Sequence, residues 1–277
     1  MNNLAALSCA VPAKNTQSAP AVCASSAIVL YSPAVGSIAV LPAMNAAKTL
    51  ARTVDAIPRD FVDDVILVDD GSTDETLALA RRLPLSLVWH PHNAGYGANQ
   101  KTCYLEALQR EADVVVMVHP DGQYDPALIP AMCAPILAGD ADLVLGSRFA
   151  EPGMALAQGM PRWKFLANRI LTGIENRLMG TRLSEAHTGY RAYSREFLLT
   201  VPFLRNANDF SFDSEILMQA VAFEMRIAEV PARGRYFEDA SSVGLGEGLV
   251  YGAKTLWAAA RLVLHRRGLL ACRRFRA

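Results

Sequence analysis

The chain has 277 residues, of which 52% are hydrophobic and 19% are charged. This composition excludes an intrinsically disordered chain and supports one large domain or two small ones. Its 27 basic and 27 acidic residues cancel, which argues against nucleic acid as the main partner, because domains that bind nucleic acid are usually basic. The five cysteines form no CxxC pair. A zinc cluster and a disulfide framework are therefore not expected, and a reducing compartment is the simpler assumption.

The N-terminal segment predicts no membrane anchor. Residues 15–47 carry no charge, but Pro20, Pro33 and Pro42 interrupt them, and a spanning helix needs about 20 mainly apolar residues. The first residues also lack the basic stretch of a signal peptide. We therefore expect residues 1–26 to form a disordered leader rich in Ala and Ser.

Short β-rich runs alternate with helical patterns through the first half of the chain. The predicted strands are Ser37–Leu41, Val65–Val68, Leu85–Trp89, Val114–Val118 and Leu143–Leu145. The predicted helices are Ala46–Ile57, one that ends at Arg82, Gly97–Arg110 and one that ends at Ala138. Ser72 and Glu75 have the spacing of a capping box, and Asp125 before Pro126 is a predicted N-cap. Apolar strands that alternate with helices indicate an α/β fold with a mainly parallel sheet covered on both faces.

The second half of the chain is less regular. The predicted elements are a helix over Met160–Met179, a strand over Gly189–Tyr193, a helix over Ser211–Phe223, a strand over Arg226–Val230 and a helix over Gly248–Arg267. This pattern favours one domain over residues 27–240, with a C-terminal helical extension over residues 241–277.

Polar residues and glycines follow four of the five strands of the first half. These residues are Asp69, Asp70 and Gly71; His90, His92, Asn93, Gly95 and Gly97; His119, Asp121 and Gln123; and Gly146, Ser147 and Arg148. Ligands of open α/β sheets bind at the carboxyl ends of the strands, so this distribution predicts a polar pocket at that edge. The glycine-rich turn that ends at Gly97 precedes a helix, where backbone N–H groups can approach a phosphate.

Asp121 and Gln123 lie two residues apart in the loop after a buried strand. Their oxygens can both turn toward one hard cation, and such ligands favour Mg²⁺ or Mn²⁺ over zinc. His119 can add a nitrogen ligand or hydrogen-bond a ribose or phosphate. Asp-Gly dipeptides also form ordinary turns, so an ordinary turn is the alternative at both Asp121 and Asp70.

Five motifs occur in an informative order. They are Val65–Asp74, His92–Gly97, His119–Pro126, Leu145–Arg148 and His187–Arg191. Together they resemble the inverting family 2 glycosyltransferases of the GT-A fold, and most closely the branch of dolichyl- and polyprenyl-phosphate mannose or glucose synthases. The resemblance covers the chain from about Ile38 onward. It implies a GT-A type three-layer sandwich.

The resemblance also implies donor-site roles. Pro42, Asn45, Asp69 and Asp70 match residues near the base and ribose of a nucleotide sugar, and Gly97 and His119 complete the expected nucleotide site. Asp121 and Gln123 match the residues that hold Mg²⁺ or Mn²⁺, with His119 where the family usually has Asp. Ala46 stands where the family often has Glu. Arg148 matches an arginine near the donor phosphates or the transferred sugar.

On the acceptor side, the resemblance implies Thr188, Tyr190 and Arg191. An acceptor phosphate needs no strong general base, whereas an acceptor hydroxyl does, and Glu185 or Asp213 would then be the candidate. We expect Asp121, Arg148 and Glu185 to be the catalytic residues.

The expected function is metal-dependent transfer of a hexose from a UDP- or GDP-linked donor to polyprenyl phosphate or another acceptor of glycan synthesis. A nucleotidyltransferase is a weaker alternative, because Pro42–Asn45 contains no glycine. A catalytically inactive GT-A domain that serves as a scaffold is a third hypothesis, and His119 and Ala46 keep it open.

The last predicted helix is amphipathic and basic. Its apolar positions are Leu249, Ala253, Leu256, Trp257, Ala260, Val263 and Leu264; Lys254, Arg261 and His265 form a separate stripe, and Arg266, Arg267, Arg273, Arg274 and Arg276 follow. The apolar stripe can pack on the domain or lie on an anionic membrane that holds a polyprenyl phosphate. We therefore expect a cytoplasmic protein, with peripheral attachment to the inner face of the membrane as the second possibility.

Overall fold

The apolar runs of the sequence form the centre of a seven-stranded sheet. In the computed structural model, which describes residues 36–235 and 245–276, the strands are β1 (Ser37–Ala43), β2 (Asp64–Asp69), β3 (Ser86–Trp89), β4 (Val114–Met117), β5 (Leu143–Ser147), β6 (Arg191–Ser194) and β7 (Ile227–Pro231). Their order is β3-β2-β1-β4-β6-β5-β7. Strand β6 runs antiparallel to β4 and β5, and the other pairs are parallel. The predicted mainly parallel α/β sheet is confirmed.

Helices cover both faces of this sheet. They are α1 (Leu50–Asp55), α2 (Thr76–Ala80), α3 (Tyr96–Gln109), α4 (Ile129–Leu137), α5 (Met154–Ala157), α6 (Arg162–Met179), α7 (Arg195–Thr200), α8 (Phe212–Ala222) and α9 (Leu245–Arg266). Alternate strand residues point to opposite faces. Val40 and Val68 accordingly join the core formed with α3, α7, α8 and α9, whereas Leu41 and Leu67 join the core formed with α1, α2 and α4. The result is a three-layer sandwich.

Several predicted helix boundaries were wrong for local reasons. The first helix begins at Leu50 instead of Ala46. The predicted capping box at Ser72 does not form, because Ser72 Oγ accepts a hydrogen bond from Asn45 N at 2.8 Å, and α2 begins later without a side-chain cap. The predicted N-cap at Asp125 is confirmed: its carboxylate accepts from Ala127 N at 3.0 Å, at a 3-10 turn that leads into α4.

Helix α9 packs against α6 and α8. Its buried residues are Thr255, Ala258, Ala259 and Leu262, whereas Trp257 of the predicted apolar stripe is 58% exposed. The basic stripe turns toward the protein: Lys254 pairs with Asp209, and Arg261 pairs with Glu215, which Arg274 after the helix also binds. These small side chains and ion pairs hold the helix on the domain.

Two predictions lie outside the described residues. They are the leader over residues 1–26 and the domain boundary between residues 240 and 241. None of the described helices combines the length and the apolar composition that crossing a bilayer requires.

Two glycines test the packing around the carboxyl edge of the sheet. A Cβ at Gly97 would lie 2.4 Å from the backbone oxygen of Ala207. We expect Gly97→Ala to lower the free energy of unfolding by roughly 1–3 kcal/mol, the usual cost of overpacking. Gly173→Ala on α6 is the matched control, because a Cβ there meets nothing within 4 Å. It should raise stability by up to about 1 kcal/mol. Urea denaturation followed by circular dichroism measures both, and equal stabilities would contradict the packing argument.

Candidate active site

Two adjoining cavities lie at the carboxyl edge of the sheet. The large compartment has a volume of about 710 Å³ and is lined mainly by the segment after β1, by Asp70 and Asp74, and by residues near Asn93 and Asn208. The small compartment has a volume of about 210 Å³ and includes Arg148 and His187. The two compartments share Tyr96, His119, Asp121 and Phe210. A two-part substrate can therefore occupy both compartments at once.

The large compartment contains four of the predicted nucleotide-site residues, Pro42, Asn45, Asp70 and His119. Asn45 has a positive φ of 51°, a conformation that asparagine tolerates better than most residues. Its Oδ1 accepts from Thr73 N at 2.9 Å. The loop after β1 is therefore tied to the loop after β2.

Asp70 fixes another wall of the large compartment. Its carboxylate accepts hydrogen bonds from Ala94 N at 2.9 Å and from Gly95 N at 3.0 Å, and it lies 2.7 Å from His90 Nδ1. Most of its hydrogen-bonding capacity is therefore used inside the protein. Asp70 shapes the glycine-rich loop beside the compartment.

Asp69 and Gly97, both predicted to contact a nucleotide, make contacts within the protein. Asp69 is buried behind the wall and accepts from Ser72 N at 3.1 Å. Gly97 faces the backbone of Ala207 at close range. Neither residue lines a compartment.

An aromatic group separates the two compartments. The rings of Tyr96 and Phe210 have centroids 4.6 Å apart, and those of Tyr96 and His119 are stacked at 5.7 Å. Tyr96 OH donates to Asp213 Oδ2 at 2.7 Å. Burial raises the pKa of Tyr96 well above its usual value, and the Asp213 carboxylate adds to this rise. The phenol therefore stays protonated and keeps donating.

The predicted metal-binding residues lie together. His119, Asp121 and Gln123 all line the small compartment, and Asp121 Oδ1 accepts from Gln123 N at 2.9 Å. His119 Nε2 is 3.2 Å from Tyr96 OH. A Cβ at Gly189 would come within 2.7 Å of that nitrogen, so the ring needs a glycine there. Within residues 36–235 and 245–276, no three His, Cys, Asp or Glu side chains form a metal site.

Glu185, which was predicted to be catalytic, holds Arg148 in place. Its fully buried carboxylate accepts from Arg148 N at 2.8 Å, from Arg148 Nε at 3.0 Å and from Arg148 Nη2. Asn168 Nδ2 donates to it at 3.0 Å. Glu185 does not itself line the small compartment. Glu185 orients the guanidinium of Arg148, which does line this compartment.

Three predicted acceptor-side residues, Thr188, Tyr190 and Arg191, are buried beneath the small compartment and hold its neighbouring loops by hydrogen bonds. Thr188 Oγ1 donates to the carbonyl of Gly146 at 2.6 Å, and Tyr190 OH donates to the carbonyl of Asp125 at 3.3 Å. Arg191 is fully buried. None of the three lines a compartment, so direct contact with an acceptor is not supported for them.

Asp213 does line the small compartment, but both of its oxygens accept hydrogen bonds. Tyr96 OH donates to one oxygen, and Gln100 Nε2 donates to the other at 3.1 Å. Its position matches the prediction, whereas its hydrogen bonds favour a structural role over that of a base.

Sequence reasoning missed a polar chain that ends at the small compartment. His187 Nδ1 lies 3.0 Å from Tyr251 OH on α9, and His187 Nε2 lies 2.8 Å from a carboxylate oxygen of Glu175 on α6. Burial raises the pKa of Tyr251 to about 12, against the hydrogen bond from Ser214 that lowers it. His187 belongs to a motif that the sequence singled out, but Tyr251 and Glu175 lie on distant helices and gave no local signal.

The chain was compared with known proteins. The family model described as Glycosyl transferase family 2 matches residues 38–201. The chain belongs to this family. It is therefore a glycosyltransferase, as the motifs predicted, and neither the scaffold nor the nucleotidyltransferase hypothesis gains support.

The relatives and the solved structures agree with this assignment. A UDP-N-acetylglucosamine–dolichyl-phosphate N-acetylglucosaminyltransferase of Methanococcus voltae is 27% identical over 79% of this chain and 92% of its own. A polyprenol monophosphomannose synthase of Mycolicibacterium smegmatis is 26% identical over 72% and 77%. The glucosyl-3-phosphoglycerate synthase of Mycobacterium tuberculosis in complex with phosphoglyceric acid has a TM-score of 0.64 at 24% identity, covering 86% of this chain and 82% of that one. This structural likeness confirms the fold.

Asp70→Asn tests whether the carboxylate shapes the large compartment. The amide keeps the size of the side chain but replaces one acceptor oxygen with a donor, which opposes the N–H groups of Ala94 and Gly95. Hydrogen bonds to a charged group are worth about 1.5–3 kcal/mol, so we expect the affinity for UDP or GDP to fall about tenfold or more. Calorimetry measures this. Asp142→Asn is the control, since Asp142 is also buried and binds Arg226 but lines neither compartment. A loss of affinity in both variants would contradict a local effect.

Proposed function

We propose that the enzyme transfers a hexose from a UDP- or GDP-linked donor to a lipid phosphate such as polyprenyl phosphate. The observation that carries this proposal is that the small compartment contains an oriented cation, Arg148, while the two nearby carboxylates already accept hydrogen bonds: Glu185 from Arg148, and Asp213 from Tyr96 and Gln100. A phosphate oxygen is an anionic nucleophile and needs no base, whereas a hydroxyl must lose a proton. The small compartment therefore suits an acceptor phosphate better than an acceptor hydroxyl.

The names of the relatives support a lipid phosphate. Besides the dolichyl-phosphate and polyprenol enzymes, an undecaprenyl-phosphate mannosyltransferase of Micrococcus luteus is 27% identical over 66% of this chain. Support for the donor comes from a solved structure of the glucosyl-3-phosphoglycerate synthase with Mn²⁺, UDP and glucosyl-3-phosphoglycerate, which has a TM-score of 0.60.

The large compartment suits the nucleoside part of the donor. Its volume of about 710 Å³ falls within the range of roughly 300–1,000 Å³ of small-molecule sites. Asn45 and Asp74 add polar groups to a mainly apolar lining. The shared residues His119 and Asp121 then lie where the diphosphate would pass from the large to the small compartment.

The donor set at this junction fits Mg²⁺ or Mn²⁺. The Asp121 carboxylate and the Gln123 amide oxygen are hard ligands, and oxygens of the donor diphosphate would complete the coordination. His119 is the weaker candidate, because its Nε2 already lies 3.2 Å from Tyr96 OH. When bound, the metal would act as a Lewis acid on the diphosphate leaving group.

The protein's own residues would bind and orient the two substrates. Arg148, held by Glu185, would stabilise the negative charge of the phosphates. An acceptor phosphate oxygen would form the bond to the anomeric carbon as the bond to the nucleoside diphosphate breaks. Tyr96 and Phe210 would fix the position of the sugar between the compartments.

A matched pair of acceptors tests the proposed function. The full chain is incubated with UDP- or GDP-hexoses, Mn²⁺ and either polyprenyl phosphate or the same polyprenol without phosphate. We expect nucleoside diphosphate release and glycolipid formation with the phosphate only. Transfer to the polyprenol would contradict the proposal, and it would favour the Glu175–His187–Tyr251 chain as the route by which a hydroxyl proton leaves.

Asp121→Ala tests the proposed metal ligand. Calorimetry of UDP or GDP binding, with and without Mn²⁺, should show that the metal no longer strengthens binding, while circular dichroism shows an intact fold. Asp125→Asn is the control, because Asp125 lies in the same loop but does not line either compartment. Metal-enhanced binding that persists in Asp121→Ala would rule out this ligand.

A further inference from the structure

Helix α6 has an inverted distribution of apolar residues. Its exposed side chains include Trp163, Leu166, Ile170 and Ile174, which are 49%, 59%, 55% and 41% exposed. These residues recur at i, i+3, i+7 and i+11, so they form one stripe along the helix. The buried residues of the same helix are Thr172, Glu175 and, at its C-terminal end, Met179. We call the four exposed residues the α6 stripe.

The exposed charges of α6 are all positive. The helix carries four basic residues, Arg162, Lys164, Arg169 and Arg177, and its one acidic residue, Glu175, is fully buried. Within the described part of the chain, none of the three arginines forms a salt bridge. Lys164 Nζ lies 5.3 Å from the centroid of the Trp163 ring. Exposed apolar side chains with unpaired cations beside them are typical of helices that bind a membrane surface.

Helix α9, which packs against α6, also exposes two apolar side chains, Val250 and Trp257. Exposed apolar surface of this kind marks an interaction site.

We propose that the α6 stripe binds the interface of an anionic lipid bilayer. The apolar side chains would enter the boundary between headgroups and acyl chains, and the arginines would contact anionic headgroups. A second copy of the chain fits less well, because an isologous contact would bring the same four cations of each α6 together with no exposed acid of the helix between them. An anionic bilayer supplies the opposite charge.

The inner side of α6 connects this surface to the small compartment. Asn168 donates to the Glu185 carboxylate that orients Arg148, and Glu175 lies against His187. A helix on the bilayer would therefore support, through Glu185 and His187, the compartment that would receive the phosphate of a lipid. This inference rests on the proposed function for its purpose, but vesicle binding is measured without donor or acceptor.

Co-sedimentation with vesicles tests the surface. The full chain is mixed at low salt with vesicles of equal parts phosphatidylcholine and phosphatidylglycerol, or of phosphatidylcholine alone. We expect binding to the anionic vesicles that weakens with salt. The variant with Leu166→Ser, Ile170→Ser and Ile174→Ser should bind at least about tenfold more weakly. A second variant, with Arg162→Gln and Arg169→Gln, should also lose about tenfold or more and most of its salt dependence.

The matched control changes equally exposed leucines outside α6. Leu199 and Leu204 are 63% and 55% exposed, and the variant with Leu199→Ser and Leu204→Ser should bind as the unchanged chain does. Equal losses in the control and stripe variants would overturn the proposal. So would a full chain that stays in the supernatant with anionic vesicles. A dimer that does not bind vesicles and becomes monomeric when the stripe is changed, as measured by analytical ultracentrifugation, would assign the surface to a second copy.

A short, water-soluble prenyl phosphate separates this proposal from the proposed function. The stripe variant should glycosylate this soluble acceptor at the rate of the unchanged chain and lose only the reaction with vesicle-embedded polyprenyl phosphate. If the chain binds vesicles but glycosylates neither acceptor, the proposed function fails and the membrane surface stands. If the stripe variant keeps its full rate on vesicles, the membrane surface fails.

Discussion

The guanidinium of Arg191 is the buried charge around which the small compartment is built. It donates to the carbonyls of Thr188, Asp213 and Ala186 at 2.8, 2.7 and 3.3 Å. Burial alone would lower the pKa of this side chain, but Asp213 and nearby tyrosines raise it by more, so the net shift of the pKa is upward. A buried cation is tolerated only when it is paired and fully hydrogen-bonded. The loop that carries His187 and the start of α8 are therefore held in one arrangement around Arg191.

The requirement that buried charges be paired also limits the chemical roles of the carboxylates near the site. Glu185 is fully buried; its carboxylate balances the charge of Arg148 and accepts a hydrogen bond from the amide of Asn168. Asp213 accepts from Tyr96 and Gln100. Because each carboxylate stabilises a neighbour, neither is available as a general base without loss of that contact. The compartment consequently presents an oriented cation, Arg148, and this is the feature on which the proposal of an anionic acceptor rests.

The sequence predicted those features that depend on short segments. Apolar runs identified the strands, and the residues after them brought Asp70, Asp121 and Arg148 to one edge of the sheet. Features that depend on distant contacts were missed: Tyr251 reaches the compartment from α9, and no pattern near it indicates this. Asp69 and Gly97 were predicted at the nucleotide from the motifs that contain them, whereas long-range packing puts Asp69 against Ser72 N and Gly97 against the backbone of Ala207.

Helix α6 shows why local pattern and overall charge can mislead together. A periodicity argument places the apolar side of a surface helix against the core, yet Leu166 and Ile170 face outward while Thr172 and Glu175 are buried. Overall neutrality, with 27 basic and 27 acidic residues, hides the local excess of cations on this helix. A membrane field falls off within about a Debye length, roughly 8 Å at physiological salt, so it acts on the nearest charges and not on the net charge. Under the two proposals above, the polar inner side and the apolar outer side of α6 would be two consequences of one position, between the small compartment and a lipid surface.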